Sequence, residues 1–296
     1  MEPDRHTDAA AAAHQVTATG DPHAAAWQTG RPRMLAHAYR MLGSWQDAED
    51  VVQEAWLRLA GTGELRNPDA FLTTTVTRLA IDRLRARQRR QEDYIGPWIA
   101  EPVATDRLPD EAAVDRDLLS LAAVQLLERL TAPERATYVL RTGFAYSYQE
   151  IGAVIDHTEA SCRQLFRRAT ARLGGDARFD TDAETHRRLL DALVAASRDG
   201  ALADLEAVLA DDAVLWADGG GRVSSALNPV LGADKIARFM IGICRGGARS
   251  TPMQVNGFPA LEFYGDADRR VITLRVQDGR IAEIMFVGNP DKLTLV

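Results

Sequence analysis

The run from Asp47 to Leu59 sets Leu57 among Asp47, Glu49, Asp50, Gln53 and Glu54, an apolar side chain inside an acidic ring. Such a residue stays in water unless a partner covers it, so the pattern reads as a docking face. A solvated face carrying one stray leucine is the alternative, because single exposed leucines are common. Further along, residues 78–90 hold six arginines against one acid, Asp82, in a chain whose net charge is −7. The basicity is therefore local. Helical spacing aligns Thr74, Arg78, Arg85 and Arg89 in a stripe, with Arg83 in the same run, suited to following a phosphate backbone while a few side chains reach bases. A third group, Ala160, Ser161, Arg163, Gln164, Arg167 and Arg168, falls on the outer side of one helical segment. Small residues there allow close approach to a groove, while arginine and glutamine read base edges or grip phosphate. A helical hairpin with a basic outer face is the alternative.

Three helical frames must position these side chains. Ala48, Val51, Val52, Ala55, Trp56 and Leu59 recur with the period of a helix face turned to a core. Asn67-Pro68 opens the next helix, running from about Asp69 into the arginines. The loop from Gly61 to Asn67, with Phe71 behind it, is a candidate pocket for an unstacked base; a core role for Phe71 is the alternative. Ser147 and Glu150 form a capping box. Ile151, Gly152 and Ile155 then lead into Asp156-His157, and Thr158 caps a second helix whose inner face is Cys162, Leu165, Phe166, Ala169 and Leu173. That is helix-turn-helix spacing.

Composition sets the class. With 296 residues, 46% apolar and 26% charged, the chain can bury cores in two or three domains. The first thirty residues, with an alanine run and His6, His14 and His23, show no periodicity and read as a disordered tail. No signal peptide or membrane span is evident. The two cysteines, Cys162 and Cys244, fit neither a disulfide framework nor a metal site, so a reducing cytoplasm is the expected setting.

Taken in order, these motifs resemble an extracytoplasmic-function RNA polymerase sigma factor over about residues 31–173. Tyr39-Arg-Met-Leu-Gly43 and the Asp47–Leu59 helix resemble the part of sigma region 2 that docks on core polymerase. The arginine-rich helix resembles the part that melts and recognises the −10 element, and residues 118–173 resemble region 4, which recognises the −35 element. The resemblance implies two partners, core RNA polymerase (through its clamp and flap regions) and promoter DNA, with no membrane, cofactor or metal. A common large scaffold would raise the effective concentration of the second DNA contact. The expected organisation is a tail at 1–30, region 2 at 31–92, a linker at 93–116 and region 4 at 117–175.

Residues 182–296 go beyond such a protein. Helical patterns at 183–198 and 201–210 precede a short strand around Val214–Trp216, a turn at Asp218–Arg222 and a helix at 233–244. Strands follow at 261–264, 271–276 and 281–287, the last two joined by the hairpin signal Gln277-Asp278-Gly279-Arg280. The order resembles the SnoaL-like, NTF2-like superfamily, in which a curved sheet wraps around a pocket. The expected fold is thus multidomain, two all-α sigma domains plus an α+β cone. Some such cones are enzymes, but no histidine follows His186, and Asp218 and Arg222 are a thin set for acid–base work in what reads as a flexible glycine turn. Binding of a small apolar ligand is the more plausible activity of a concave domain.

Three short features resemble the SnoaL-fused group of these sigma factors: the linker Tyr94–Pro102, the Asp218–Arg222 turn and the tail Asn289–Leu293. The resemblance implies an interdomain regulatory set of Trp98, Asp218, Gly219, Gly220, Gly221, Arg222, Asn289, Pro290, Lys292 and Leu293, acting in cis where a separate anti-sigma factor would otherwise act. Ile99-Ala100 departs from the group's Leu-Pro and is expected to loosen the linker; Arg222 replaces Lys, keeping charge but changing donor geometry. The expected mechanism is a cone that holds the two DNA readers compactly through the linker, with the tail setting the balance. Local packing of Trp98 and a frayed tail is the competing picture. Two other functions are weighed: a one-component regulator whose cone senses a ligand, and an enzyme with a DNA-binding appendage.

Overall fold

The computed structural model describes residues 23–90, 94–104, 121–174, 182–244, 249–264 and 268–296. The N-terminal unit is a bundle of α1 (Ala24–Leu42), α2 (Trp45–Ala60) and α3 (Pro68–Arg90). Gly43 ends α1 in the left-handed conformation, Ser44 Oγ accepts from Asp47 N at the start of α2, and Asn67 Oδ1 accepts from Ala70 N at the start of α3. These side-chain caps take up amides that a helix start leaves without partners. The apolar period of α2 is buried as its sequence dictates, apart from Trp56, which is half-buried and stacks on Trp27 at 4.8 Å. That stack, with a contact between His23 Nε2 and Gly63 O, anchors the start of α1. Residues 24–30 are therefore helical, correcting the expected disordered tail to 30; residues 1–22 lie outside the described residues.

A second helical unit follows: α4 (Leu121–Leu127), α5 (Ala132–Gly143), α6 (Tyr148–Ile155) and α7 (Glu159–Arg172). The Ser147/Glu150 capping box opens α6, and Asp156 closes it at φ 59°. Gly152 permits the tight turn into α7, since a Cβ there would lie 2.4 Å from His157 O. Thr158 caps α7, whose Cys162, Leu165 and Ala169 are buried.

The C-terminal unit comprises α8 (Ala183–Asp199), α9 (Leu202–Val208), α10 (Ala233–Cys244) and one six-stranded sheet. The strands are β1 (Leu209–Asp218), β2 (Val230–Leu231), β3 (Arg249–Val255), β4 (Phe258–Tyr264), β5 (Arg269–Gln277) and β6 (Arg280–Val287), in the order β2-β1-β6-β5-β4-β3. Only β1 and β6 run parallel. Strand alternation gives the sheet two apolar faces. Leu215, Leu261, Phe263, Ile272, Leu274, Ile284 and Phe286 pack under α8–α10, whereas Val255, Ala260, Val271, Met285 and Val287 face away from them. The second set belongs to one continuous hydrophobic cluster with both helical units, the linker and the C-terminal Leu293 and Val296.

Three element expectations change. β1 starts at Leu209, longer and earlier than the short strand read around 214–216, so the expected helix end at 210 becomes strand. β3 went unread, because Pro252 breaks the pattern of a central strand; it is an edge strand, where proline is tolerated. Asn256 and Gly257, both at positive φ, form the two-residue turn that pairs Val255 with Phe258.

Candidate functional site

On α2 the acidic face has the expected geometry: Leu57 is 63% exposed, and Glu49, Asp50 and Gln53 are exposed around it. Asp47 and Glu54 are half-buried. Arg83, read above with the DNA-facing arginines, points elsewhere. Its Nη1 lies 2.6 Å from Asp47 Oδ1 and 3.3 Å from Asp50 Oδ2. Five residues beyond Arg78 is about 140° around a helix, which turns position 83 from the basic stripe toward α2. Arg83 thus neutralises part of that acidic face.

The stripe itself is only partly free. Arg78 donates from Nε to Val154 O at 2.8 Å and from Nη2 to Ala153 O at 3.0 Å, a cation on the carbonyl end of α6. Thr74 is half-buried, Arg85 is exposed beside Asp82, and the side chain of Arg89 lies outside the described residues. The two helical units touch again at Phe144, which meets the His37 ring edge-on at 4.8 Å and lies under the Arg33 guanidinium at 4.2 Å. His37 is buried and accepts or donates one hydrogen bond with Thr77 Oγ1; burial and the neighbouring arginines push its pKa down to about 3. On α7, Ala160, Arg163, Gln164, Arg167 and Arg168 are exposed and Ser161 half-buried. Arg168 and Arg172 flank the buried carboxylate of Glu134 at 3.6 and 2.5 Å.

The most concentrated polar site joins linker, glycine turn and tail. Asp218, at the end of β1, is buried, with both oxygens occupied: Oδ1 accepts from Tyr94 OH at 2.6 Å and Gly220 N at 3.1 Å, and Oδ2 from Ile99 N at 2.8 Å and Lys292 Nζ at 2.7 Å. Lys292 is buried too and donates to Ile99 O at 2.5 Å, its ammonium 3.9 Å from the Trp98 ring centre. Burial lowers the Lys292 pKa to about 8 against the opposing pull of Asp218. Burial and the adjoining carboxylate raise that of Tyr94. Asn289 Nδ2 donates to Tyr94 OH, and the amides of Gly288 and Asn289 both donate to Asp218 O. Gly220, at φ 55°, leaves room that a Cβ would take from the Asn289 side chain at 2.2 Å; a Cβ at Gly219 would meet Val223 O at 2.5 Å and one at Gly221 the Ile95 side chain at 2.8 Å. Pro290 begins a short 3-10 turn and Leu293 is buried, while Arg222 makes an exposed pair with Asp291 at 3.3 Å.

The linker, the glycine turn and the tail therefore meet at Asp218, but two expectations fail. The Asp218–Arg222 turn is no free loop, since its aspartate is the hub of a buried network. Nor is the linker loosened at Ile99-Ala100. Both side chains are fully buried, and Ile99 is held at N and O by Asp218 and Lys292. Ala104 N donates to Leu295 O, and Val103 exchanges two hydrogen bonds with Asn256. Linker residues 105–116 lie outside the described residues. Tyr94, Glu101 and Asn256 were missed as site residues; the first two fall inside the linker motif, and only their contacts distinguish them.

Comparison with known proteins places these features. Residues 27–90 match the family model for Sigma-70 region 2. The chain is 34% identical over 286 residues to the ECF RNA polymerase sigma factor SigJ of Mycobacterium tuberculosis, covering 89% of this chain and 91% of that protein. It is 30% identical to the probable ECF RNA polymerase sigma factor SigI of the same species, covering 92% and 95%. The crystal structure of M. tuberculosis SigJ superimposes with a TM-score of 0.76 at 31% identity, covering 92% of this chain and 99% of that one.

Proposed function

The chain belongs to the extracytoplasmic-function RNA polymerase sigma factors, and from that premise we propose that the arrangement described above is its restrained form, held by the C-terminal cone. As a sigma factor it binds core polymerase and promoter DNA and directs transcription initiation. In the proposed assignment, the α2 face around Leu57 docks on the polymerase clamp, α3 and the 61–67 loop handle the −10 element, α7 reads the −35 element and region 4 meets the flap. Two elements about 25 base pairs apart lie ~85 Å apart along B-DNA at 3.4 Å per base pair. Region 4 packed directly on region 2 cannot reach both.

The observation that carries this reading is Arg78. A side chain of the DNA-facing stripe is committed to two carbonyls of the helix-turn-helix, so the readers occupy one another. The cone stabilises that state by clamping the linker at Asp218 and Lys292 and by covering both helical units with its outer sheet face. Because the clamp is covalently attached, it acts at high effective concentration and needs no separate anti-sigma factor. Asp218 has both oxygens engaged by structural donors, which supports a regulatory role over acid–base chemistry. The cytoplasm is the corresponding location; among the described residues no helix is long and apolar enough to cross a membrane. Co-elution with purified core RNA polymerase tests the docking assignment. The chain is expected to bind and the Leu57→Ala/Glu54→Lys variant to be lost from the complex; equal binding by both would overturn the assignment.

A further inference from the structure

Helix α2 carries the proposed docking face, yet the start of this helix is completed from outside it. Ser44 supplies a cap to Asp47 N, but Trp45 N donates at 2.6 Å to Glu101 Oε2, a linker carboxylate 56 residues away. Ser44 Oγ donates to its other oxygen at 3.0 Å. A helix leaves its first amides unpartnered and its N-terminus partly positive, so a half-buried carboxylate there satisfies both a donor and the dipole. Glu101 is itself pinned to the corner between α1 and α2. Its N donates to Gly43 O at 2.8 Å and its O accepts from Tyr39 OH at 2.6 Å.

Two residues upstream, Ile99 is gripped at both backbone atoms by Asp218 and Lys292. Just before Ile99, Trp98 lies against Gly43, whose hypothetical Cβ would stand 2.7 Å from the indole, and under the Arg87 guanidinium at 4.1 Å. A short span of backbone thus runs from the clamp to the first turn of the docking helix, and that turn contains Asp47, one of the acids of the docking face.

We propose that Glu101 is a positioning residue for α2, through which the state of the C-terminal tail reaches the polymerase-docking face. The inference rests on the reading of α2 as the docking helix. While the clamp holds Ile99, the Glu101 carboxylate stays seated and the first turn of α2, Asp47 included, is fixed against Arg83. When the clamp releases, Glu101 withdraws, the Trp45 amide and the Ser44 hydroxyl lose their partner and the turn frays. The tail then alters polymerase affinity without touching the surface that polymerase covers.

The test measures the dissociation constant for core polymerase in six full-length chains: wild type, Glu101→Ala and Glu101→Gln, each with and without Lys292→Met. Couplings between sites of this kind are worth about 5- to 150-fold. Lys292→Met is expected to change the affinity about fivefold or more when Glu101 is present and less than twofold when it is absent, with Glu101→Gln between the two. A merely structural Glu101 would lower the melting temperature yet leave the Lys292→Met effect at full size, and that result overturns the relay. So does an affinity that Lys292→Met leaves unchanged in the wild-type background. Failure of the wild-type chain to bind core polymerase at all would instead remove the docking assignment, and the relay with it.

Discussion

Replacing Lys292 by methionine removes the cation from the clamp while keeping most of the side-chain volume. The loss comprises a hydrogen bond to Ile99 O, the ion pair with Asp218 and the contact over Trp98. Removing one partner of a buried pair costs ~3–5 kcal/mol, because the remaining charge stays buried without compensation. Asp218 keeps three other donors, from Tyr94, Ile99 and Gly220, which puts the cost at the lower end, about 3 kcal/mol. At 1.4 kcal/mol per tenfold, that is a shift of roughly 150-fold toward the released linker. Amide exchange at Ile99 reads this opening directly, since its N–H is held only by the clamp carboxylate. Protection there is expected to fall by about two orders of magnitude, and Asp218→Asn combined with Lys292→Met should restore much of it by removing the uncompensated charge. Unchanged protection in Lys292→Met would refute the claim that the clamp holds the linker.

Two further outcomes follow from the same contacts. Gly220→Ala introduces a Cβ at φ 55° into the space of the Asn289 amide, and should expose the tail to proteolysis after Asn289 while leaving the helical circular dichroism signal intact. Phe144→Ala vacates the contact with His37 and Arg33 at a cost of ~3–5 kcal/mol, part of which falls on the interface between the helical units. The second helical unit should then separate more readily, with faster amide exchange along α6 and the α7 cap while the C-terminal unit is unchanged.

Local physics was legible from the sequence, and long-range partnership was not. The apolar period of α2, the Ser147/Glu150 box, the Thr158 cap and the Asp278-Gly279 hairpin each depend on neighbours a few residues away, so the chain states them outright. Asp218 shows the limit. Next to three glycines it reads as a turn residue, and nothing local announces a tyrosine 124 positions earlier and a lysine 74 later. Arg83 and Arg78 share a basic run, yet the angle between them sends one to the acids of α2 and the other to the carbonyls of α6. The start of α1 is likewise set by tertiary contacts of Trp27 and His23, invisible to a periodicity search over an alanine-rich stretch. Tyr94, Glu101 and Asn256 belong to the same network through contacts alone, which no local pattern states.

The central claim is that the free chain keeps its two DNA readers packed together and that core polymerase separates them. The most direct measurement is the distance between fluorescent labels placed at Glu64, on the loop between α2 and α3, and at Gln164 on α7, in the chain alone and bound to core polymerase. A single short distance in the free chain that lengthens by tens of ångströms in the complex is the predicted result. An unchanged distance on binding, or an already long one in the free chain, would contradict it.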